Sequence, residues 1–300
     1  MKTYLLIPKI EIHNANAMSS SITLGFPAMT AWLGAMHALQ RRLQQDGWSQ
    51  VTLRKLGISC HECDVQTYCG PGDYKKSIIG TANPLRRKNK DFVRPPFIEE
   101  ARCHLKVSLL IELAGLGGED TDAFTMAVQK QLYQMKMAGG DICSFRQPSV
   151  QFIDEGEESA VRMIMRRLMP GFVVIERRDV LQSAMDNGQD ALAALLSFLT
   201  VRYTAETDEK GDISAWIGKK NTLGWMVPLA VGFKDISGAV TVKNQRDPAC
   251  EHHFAEAMLT LGEFKMAHRF SDIDDIMWEY QVDPTCGLYI CRNQAHSITY

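Results

Sequence analysis

Five side chains in the first 104 residues could together bind a zinc ion. Cys60 and Cys63 form a CxxC pair, and Cys69, Cys103 and His104 could complete a set of soft ligands. The pair falls in a segment with strand character, where residues three apart point to opposite faces, and no second close pair follows. We therefore expect the eight cysteines to be reduced thiols, many of them buried, and we predict no metal site.

Two histidines could act as a general acid or base in RNA cleavage. His13 follows the first predicted strand, and His37 lies within the first predicted helix. His37 stands beside apolar residues at helical spacing, which favours a hydrogen-bonded or partly buried ring. The sequence contains no GxxxxGKS or GxxxxGKT loop, and no GxSxG or HExxH motif. We predict a protein that is not an enzyme and needs no cofactor.

Amide and hydroxyl side chains follow the first predicted strand and could hydrogen-bond bases or phosphates. These side chains belong to Asn14, Asn16, Ser19 and Ser20. The alternative is a loop that is held by its own Asn and Ser side chains.

Shorter polar and basic clusters end two predicted helices. Gln40, Arg41 and Arg42 close the first helix, where cations either contact phosphates or complement the helix dipole without any ligand. Arg166 and Arg167 end a later helical segment, just before Pro170-Gly171. We count all five residues as candidate contacts to RNA.

The densest basic segment runs from residue 74 to residue 94. It holds one acidic residue, Asp91, and seven cations: Lys75, Lys76, Arg86, Arg87, Lys88, Lys90 and Arg94. Like charges this close repel one another unless an anion neutralises them, and arginine matches phosphate oxygens well. The alternative is a solvated, mobile loop.

The first half of the sequence predicts the elements that position these residues. The patterns predict strands over 4–12, 51–68, 103–113 and 149–153, and helices over 27–45 and 120–138. This βαββαβ order is the ferredoxin-like arrangement that RRM-type domains share. The proline-punctuated segment from about 69 to 100 is then an insertion, which we interpret as a thumb-like projection forming a loose hairpin.

The second half predicts a less regular series of elements. We expect helices over 161–168, 180–199 (broken at Asn187-Gly188) and 252–261, and strands over 172–175, 225–233, 239–242 and 287–292. Residues 205–212 read as a polar acidic loop. We predict an α+β chain with an RRM-like core over 1–160 and an extension over 161–300 packed on it, together forming one elaborated domain.

The overall composition is that of a globular protein. In 300 residues, 45% are hydrophobic and 23% charged, which excludes collagen-like, coiled-coil and disordered chains. No apolar run approaches the roughly 20 residues that span a bilayer. The N-terminal apolar run is too short for a signal peptide, so we expect a cytoplasmic protein. The net charge of −2 argues against a uniformly basic nucleic-acid protein and makes the basic segment a local feature.

Motifs in order along nearly the whole sequence resemble one protein family. They are Leu6-Ile7-Pro8-Lys9-Ile10, Asn14-Ala15-Asn16-Ala17, Ser19-Ser20, Gly25-Phe26-Pro27, His37-Ala38-Leu39-Gln40-Arg41-Arg42, Asn83-Pro84-Leu85 with Arg87, Met137-Ala138-Gly139-Gly140, Arg166-Arg167-Leu168-Met169-Pro170-Gly171-Phe172, Gly224-Trp225-Met226-Val227-Pro228 and Gly287-Leu288-Tyr289. The sequence thereby resembles the Csy-two family, the Cas-five-type subunits of the type I-F CRISPR (Csy) surveillance complex.

The resemblance implies an RNA-binding subunit without catalytic activity. Such a subunit has an RRM-like fold with a projecting thumb, binds the 5′ handle of the CRISPR RNA and caps the complex. It pairs with the large subunit, touches the backbone subunit, and meets target DNA through the complex. We assign RNA contacts to Asn14, Asn16, Ser19, Ser20, Gln40, Arg41, Arg42, Lys75, Lys76, Arg86, Arg87, Arg166 and Arg167.

Two other classes of function remain open from the residues themselves. One is an RRM-like CRISPR endoribonuclease that processes repeat RNA with His13 or His37. The other is a scaffold whose basic arm binds an acidic protein surface and never touches RNA.

Overall fold

Strands dominate the chain. The computed structural model describes residues 1–79, 85–94, 100–154, 156–207, 212–245 and 247–293. The first half contains β1 (Lys2–Asn16), β2 (Met18–Ser20), β3 (Thr23–Leu24), α1 (Met29–Gln45), β4 (Thr52–Val65), β5 (Thr67–Tyr68), β6 (Ser77–Ile78), β7 (Arg86–Lys88), β8 (Asp91–Val93), β9 (Arg102–Ala114), α2 (Thr121–Leu132), β10 (Lys136–Met137), β11 (Gly140–Ser144) and β12 (Ser149–Ile153). The second half contains α3 (Glu158–Arg167), β13 (Phe172–Glu176), α4 (Arg178–Asp186), α5 (Ala191–Leu199), β14 (Val201–Thr207), β15 (Ile213–Lys220), β16 (Trp225–Asp235), β17 (Ala255–Met266), β18 (Met277–Asp283) and β19 (Leu288–Asn293).

One large antiparallel sheet runs through both halves, so the α+β prediction is confirmed. In its first half the strand order is β12-β1-β9-β4, and β11 also pairs with β1. Beyond β4 the order continues β13-β17-β16-β19-β18, and β18 pairs back onto β4. The pairings of these six strands therefore close on themselves, and β4 belongs to both halves of the sheet.

A bulge in β1 distributes its apolar side chains between two cores. Leu5 and Ile7 pack in the core under α1, and so do Ile10 and Ile12, although the two pairs differ in sequence parity. The bulge at Pro8-Lys9 shifts the register between Ile7 and Ile10 and so keeps all four on one face. Strict alternation along the strand predicts that Leu6 shares a face with Ile10 and Ile12; because of the bulge, Leu6 instead packs in the second core.

The two cores lie on opposite faces of the sheet. α1 and α2 cover one face with Trp32, Leu39 and Phe124, among others. α3 covers the other with Ile164 and Met165. α1 ends as predicted, because Gly47 adopts a left-handed φ of 99° and its N–H donates to a carbonyl in the last turn.

Several predicted elements differ from the structure. The prediction of a helix over 252–261 is wrong, because β17 (Ala255–Met266) occupies most of this segment. Its pairing with both β16 and β13 outweighs the helix propensity of its Ala, Met and Leu residues. The second helix ends at Leu132, and residues 136–137 pair with β11 instead. The expected strand over 239–242 reduces to one bridge between Val240 and His252. The strand β18 was not predicted.

Two predicted loops contain strands. The polar segment 14–25 holds the end of β1 and the β2–β3 hairpin. The acidic loop begins as strand β14, which pairs with β15; residues 208–211 lie outside the described part. Within the predicted thumb, β5 pairs with β6, and β7 with β8 as a short hairpin. The Asn83-Pro84 motif lies outside the described residues.

In the part of the chain that the structure describes, no helix is long and apolar enough to cross a membrane.

Candidate nucleic-acid interface

The polar residues after β1 hold their own loop. Asn16 forms hydrogen bonds through its amide to the backbone N–H and carbonyl of Met18, each 3.1 Å long. The Ser20 hydroxyl lies 2.7 Å from that of Thr23. Ser19 Oγ is buried and has no hydrogen-bond partner among the described residues. The alternative reading, a loop held by its own side chains, therefore describes Asn16 and Ser20.

Asn14 differs from its neighbours because its backbone is held while its amide points outward. Asn14 has a left-handed φ of 56° at a second register shift in β1. Its N–H donates to Nδ1 of His104, and its carbonyl accepts from Arg102. The exposed amide makes no hydrogen bond to any described residue, so it is available to a ligand.

Gln40, Arg41 and Arg42 lie at the far end of the sheet from this loop. Gln40 Oε1 accepts from the N–H of Leu53 at the start of β4, and Arg42 reaches Gln131 of α2. Arg41 is exposed. The two ends are separated by the length of β9, roughly 40 Å for thirteen residues. The structure therefore does not bring these two predicted groups together.

The thumb cations lie at the Asn14 end. The thumb leaves the sheet after Val65 and returns at Arg102, which pairs with Asn16. Lys75, Lys76, Arg86 and Arg87 are all exposed, and within the described residues none forms an ion pair. Phe92 pairs with Arg87 across the β7–β8 hairpin and is 70% exposed. This projection therefore combines free cations with an exposed ring.

Arg166 and Arg167 end α3, on the face of the sheet opposite α1. Both are exposed. Arg166 lines a cavity of about 310 Å³ together with Arg162, His268 and Arg269. Arg162 also forms an ion pair with Glu158, one turn earlier. These arginines form a basic patch separate from the thumb.

A further basic group, which the sequence did not predict, forms at two neighbouring bulges, one in β1 and one in β4. The β1–β9 pairing skips Pro8 and Lys9, and the β4–β9 pairing skips His61. The β1 bulge lies opposite Ser108, which is fully buried in the central strand β9, and the β4 bulge follows one residue pair further along. The Lys9 N–H donates to Ser108 Oγ at 3.0 Å, and that hydroxyl lies 2.7 Å from His61 Nε2. Only this register, which the sequence does not reveal, brings Lys9 and His61 together.

Both ring nitrogens of His61 have polar partners. Nδ1 contacts the carbonyl oxygen of Pro170, and Nε2 lies 2.7 Å from the Ser108 hydroxyl. Burial, together with the charges of Lys9 and Lys106, lowers the pKa of His61 despite the bond to Pro170, so the ring is neutral near pH 7.

Lys9, His61, Lys106 and Arg146 line an open cavity of about 500 Å³, which we call the basic groove. Lys106 pairs with Glu11 at 3.0 Å and with Glu62 at 3.8 Å. Lys9 Nζ lies 2.9 Å from His61 Nδ1. Burial, with the charges of Arg146 and Lys106, lowers the pKa of Lys9. The groove thus concentrates positive charge without a matching number of carboxylates.

A second cavity, of about 320 Å³, lies beside the basic groove. We call it the aromatic cavity, since rings of Phe26, Phe172, Trp225 and Phe264 line it. Trp225 stands at its edge, with ring centroids 5.5 Å from Phe172 and 5.1 Å from Phe264. The contacts between these aromatic rings give the cavity a largely apolar wall.

The cysteines considered for zinc lie partly along this cavity. Cys60 and Cys63 both line it, because the bulge at His61 cancels the opposite orientation expected of residues three apart. Burial raises the pKa of the Cys60 thiol to about 12. A hydrogen bond from Cys103 lowers the pKa of Cys63. Among the described residues, no group of three or more His, Cys, Asp or Glu side chains could hold a metal ion.

Two histidines considered for catalysis are exposed. His37 lies exposed on the outer face of α1 and forms no hydrogen bond with a described residue, so the expectation of a hydrogen-bonded or partly buried ring is wrong. His13 faces His104, with ring centroids 4.5 Å apart. The Asn14 backbone holds His104 through its Nδ1.

Comparison with known sequences identifies the family of this chain. The chain is a CRISPR-associated protein: the family model described as "CRISPR-associated protein (Cas_Csy2)" matches residues 5–291. It belongs to the Csy2 family, as the resemblance of its motifs had indicated. It is 34% identical over 311 aligned positions to "CRISPR-associated protein Csy2" of Pseudomonas aeruginosa (strain UCBPP-PA14), which covers 95% of this chain and 93% of that protein.

Proposed function

We propose that this chain is the RNA-binding subunit of a type I-F CRISPR surveillance complex and has no catalytic activity of its own. It binds the 5′ handle of the CRISPR RNA, caps one end of the complex and pairs with the large subunit. Through the assembled complex it takes part in recognition of foreign DNA, and so in antiviral defence. Family membership supports the role in the complex.

The observation that carries RNA binding is the exposed thumb. Its four predicted contact residues, Lys75, Lys76, Arg86 and Arg87, have no acidic partner among the described residues. They extend from the end of the sheet where Asn14 presents a free amide. Cations and amides at one end of a sheet suit the phosphates and splayed bases of a single strand. We also propose that the thumb touches a neighbouring backbone subunit.

We further propose that residues 1–160 form an RRM-like core, with residues 161–300 packed on it in one domain. The order β12-β1-β9-β4 is the order expected of a βαββαβ unit, and α1 and α2 share one core on one face. β4 pairs with β13 and β18 of the second half, which supports a single elaborated domain.

The partner surface can also be proposed. The β14–β15 hairpin leaves Tyr203, Ile213 and Trp216 exposed, by 65%, 57% and 63%. Apolar surface of this kind on a soluble chain usually marks a protein contact. We propose that it faces another subunit of the Csy complex.

Salt-dependent RNA binding tests the proposed function. The protein and an Arg86→Glu/Arg87→Glu variant are titrated with a labelled single-stranded RNA carrying the 5′ part of the repeat, at several salt concentrations. The control is Arg202→Glu, which changes an exposed cation on β14. We expect the thumb variant to bind more weakly and with a shallower salt slope, by about 0.7 per lost phosphate contact. Equal binding by all three proteins, or no RNA binding by the unaltered chain, would refute the proposal.

A second function, RNA cleavage, is favoured by one observation. The rings of His13 and His104 lie side by side, and two imidazoles can act as general base and general acid. Incubation of repeat RNA with the protein and with His13→Ala tests it. Cleavage that disappears in the variant would establish a nuclease and overturn the proposal of a non-catalytic subunit.

A further inference from the structure

The basic groove and the aromatic cavity adjoin along one unpaired strand edge. The outer edge of β4 pairs with β18 at Leu56 and Gly57 and with β13 at Ser59 and Cys60. Beyond Cys60, no described strand pairs with this edge. His61, Glu62 and Phe172 line both cavities, so a ligand can occupy the two at once.

The groove has the charge of an anion site. Lys9 and Arg146 face it, and neither forms an ion pair with a described carboxylate. Among the described residues of its lining, Glu62 is the only acidic one, and it lies 3.8 Å from Lys106. An anion entering beside Lys9 and Arg146 would relieve the repulsion between these two cations.

The backbone conformation of Lys9 supports a ligand at this place. A left-handed φ of 55° is unfavourable for a lysine, and such conformations persist where the surrounding structure requires them. The bulge turns the Lys9 side chain out of the strand pairing and into the groove. The backbone of Arg146 is fixed to the same bulge, since its N–H donates to the Pro8 carbonyl at 2.9 Å.

The neighbouring cavity has the shape and lining for a flat aromatic group. Trp225 is 54% exposed and presents its ring at the edge, while Phe172 and Phe264 hold it from behind. Unstacked bases of a single strand stack on such rings, and this stacking does not depend on which base is present.

We propose that these two cavities hold one splayed nucleotide of single-stranded RNA, with its phosphate beside Lys9 and Arg146 and its base on Trp225. A nucleotide combines a phosphate with an aromatic base, and these two cavities, which share lining residues, offer cations to the one and aromatic rings to the other. This inference rests on the proposed function, since it assigns part of the RNA to a surface that sequence reasoning missed. It makes Lys9, Arg146 and Trp225 contact residues in addition to the thumb.

A scan with a fluorescent base tests the proposal. 2-Aminopurine replaces each base in turn in a single-stranded RNA carrying the 5′ part of the repeat, and its fluorescence is recorded on binding. We expect quenching at one position, lost in Trp225→Leu and retained in Trp225→Phe, with affinity about 10-fold lower for Trp225→Leu. The matched control is Trp216→Leu, since Trp216 is 63% exposed on the β14–β15 hairpin.

Variants that remove a positive charge test the proposed contact with the phosphate. Lys9→Gln and Arg146→Gln should each weaken binding several-fold at low salt, and together reduce the salt slope by about 0.7, while the exposed Lys219→Gln should not. Circular dichroism and thermal unfolding check that each variant is folded. If Trp225→Leu or Lys9→Gln does not fold, Trp225→Phe and Arg146→Gln still provide the test.

The outcomes separate this inference from the proposed function. If the protein binds RNA but neither Trp225→Leu nor the charge variants alter affinity, quenching or slope, the nucleotide site is overturned and the proposed function stands. If the unaltered protein binds no RNA, both fail. If Trp225→Leu binds RNA normally but no longer co-purifies with partner subunits, the cavity receives a protein side chain, and the nucleotide site is again overturned.

Discussion

A buried ion pair at the start of α4 gives the sharpest prediction for stability. Nη1 of Arg177 lies 2.6 Å from Oε2 of Glu263 in β17, and the two side chains are 6% and 3% exposed. Arg177 also binds Asp179 through Nε and Nη2 at 2.9 and 3.0 Å, but the Asp179 side chain is 66% exposed. The pair lies beside Phe264, one residue from a wall of the aromatic cavity.

Replacement of Arg177 by Met should lower the free energy of unfolding more than the change Glu263→Gln. The variant leaves the Glu263 carboxylate in the interior without this cation, which typically costs about 3–5 kcal/mol of unfolding free energy. Asp179 adds little to that cost because water reaches it. Glu263→Gln keeps an acceptor of nearly the same shape, and Arg177 keeps Asp179, so we expect a loss of about 1–3 kcal/mol.

Urea unfolding of the unaltered protein, the two single variants and the double variant Arg177→Met/Glu263→Gln forms a double-mutant cycle. We expect the double variant to be more stable than Arg177→Met alone, since it removes the buried carboxylate charge together with the cation. The control is Arg162→Met, which removes an exposed ion pair with Glu158 and should change stability by less than about 1 kcal/mol. A loss below about 1 kcal/mol for Arg177→Met would refute the reasoning.

Three further predictions concern pH and glycine. Burial lowers the pKa of His61, so as the pH falls the unfolded chain takes up a proton near pH 6.5, before the folded chain does. The free energy of unfolding should therefore decrease as the pH drops below about 6.5. It should level off once the His61 ring of the folded chain is also protonated. His61→Asn should flatten that part of the profile, and an unchanged slope would contradict the assignment. Gly115→Ala should lose about 2 kcal/mol or more, because Gly115 has a φ of 81° and an added Cβ would overlap the Gln50 carbonyl oxygen. Gly34→Ala, in the exposed interior of α1 with open space around it, should gain about 0.5–1 kcal/mol by thermal unfolding; equal changes at the two glycines would show that backbone conformation is not the cause.

The sequence predicted the elements of the first half better than those of the second. Long segments such as α1 and β9 have apolar residues at a regular spacing, and these residues are the ones that become buried. β17 was read as a helix because its Ala, Met and Leu residues favour one, and its strand pairing depends on β13 and β16, which are distant in sequence. Such long-range pairing leaves no local signal.

The candidate site was predictable only where charge alone identifies it. The thumb cations form a dense run that is visible in the sequence. The sequence assigns the polar residues 14–20 and the end of α1 to the same RNA, but they lie at opposite ends of the sheet. Lys9 and His61 lie 52 residues apart and meet only because two bulges shift the register on both sides of β9. No periodicity in the sequence marks a bulge of this kind.

Because β4 pairs with strands of both halves, its outer edge is uncovered during part of synthesis. A chain emerging from the ribosome completes β1, α1, β4 and β9 long before Phe172 and Met277 exist to cover the outer edge of β4. For that interval the nascent chain carries an open strand edge beside an uncovered apolar face, which is the usual starting point for aggregation. A release of the chain before residue 172 would make this exposure permanent, so the second half acts as a built-in cover for the first.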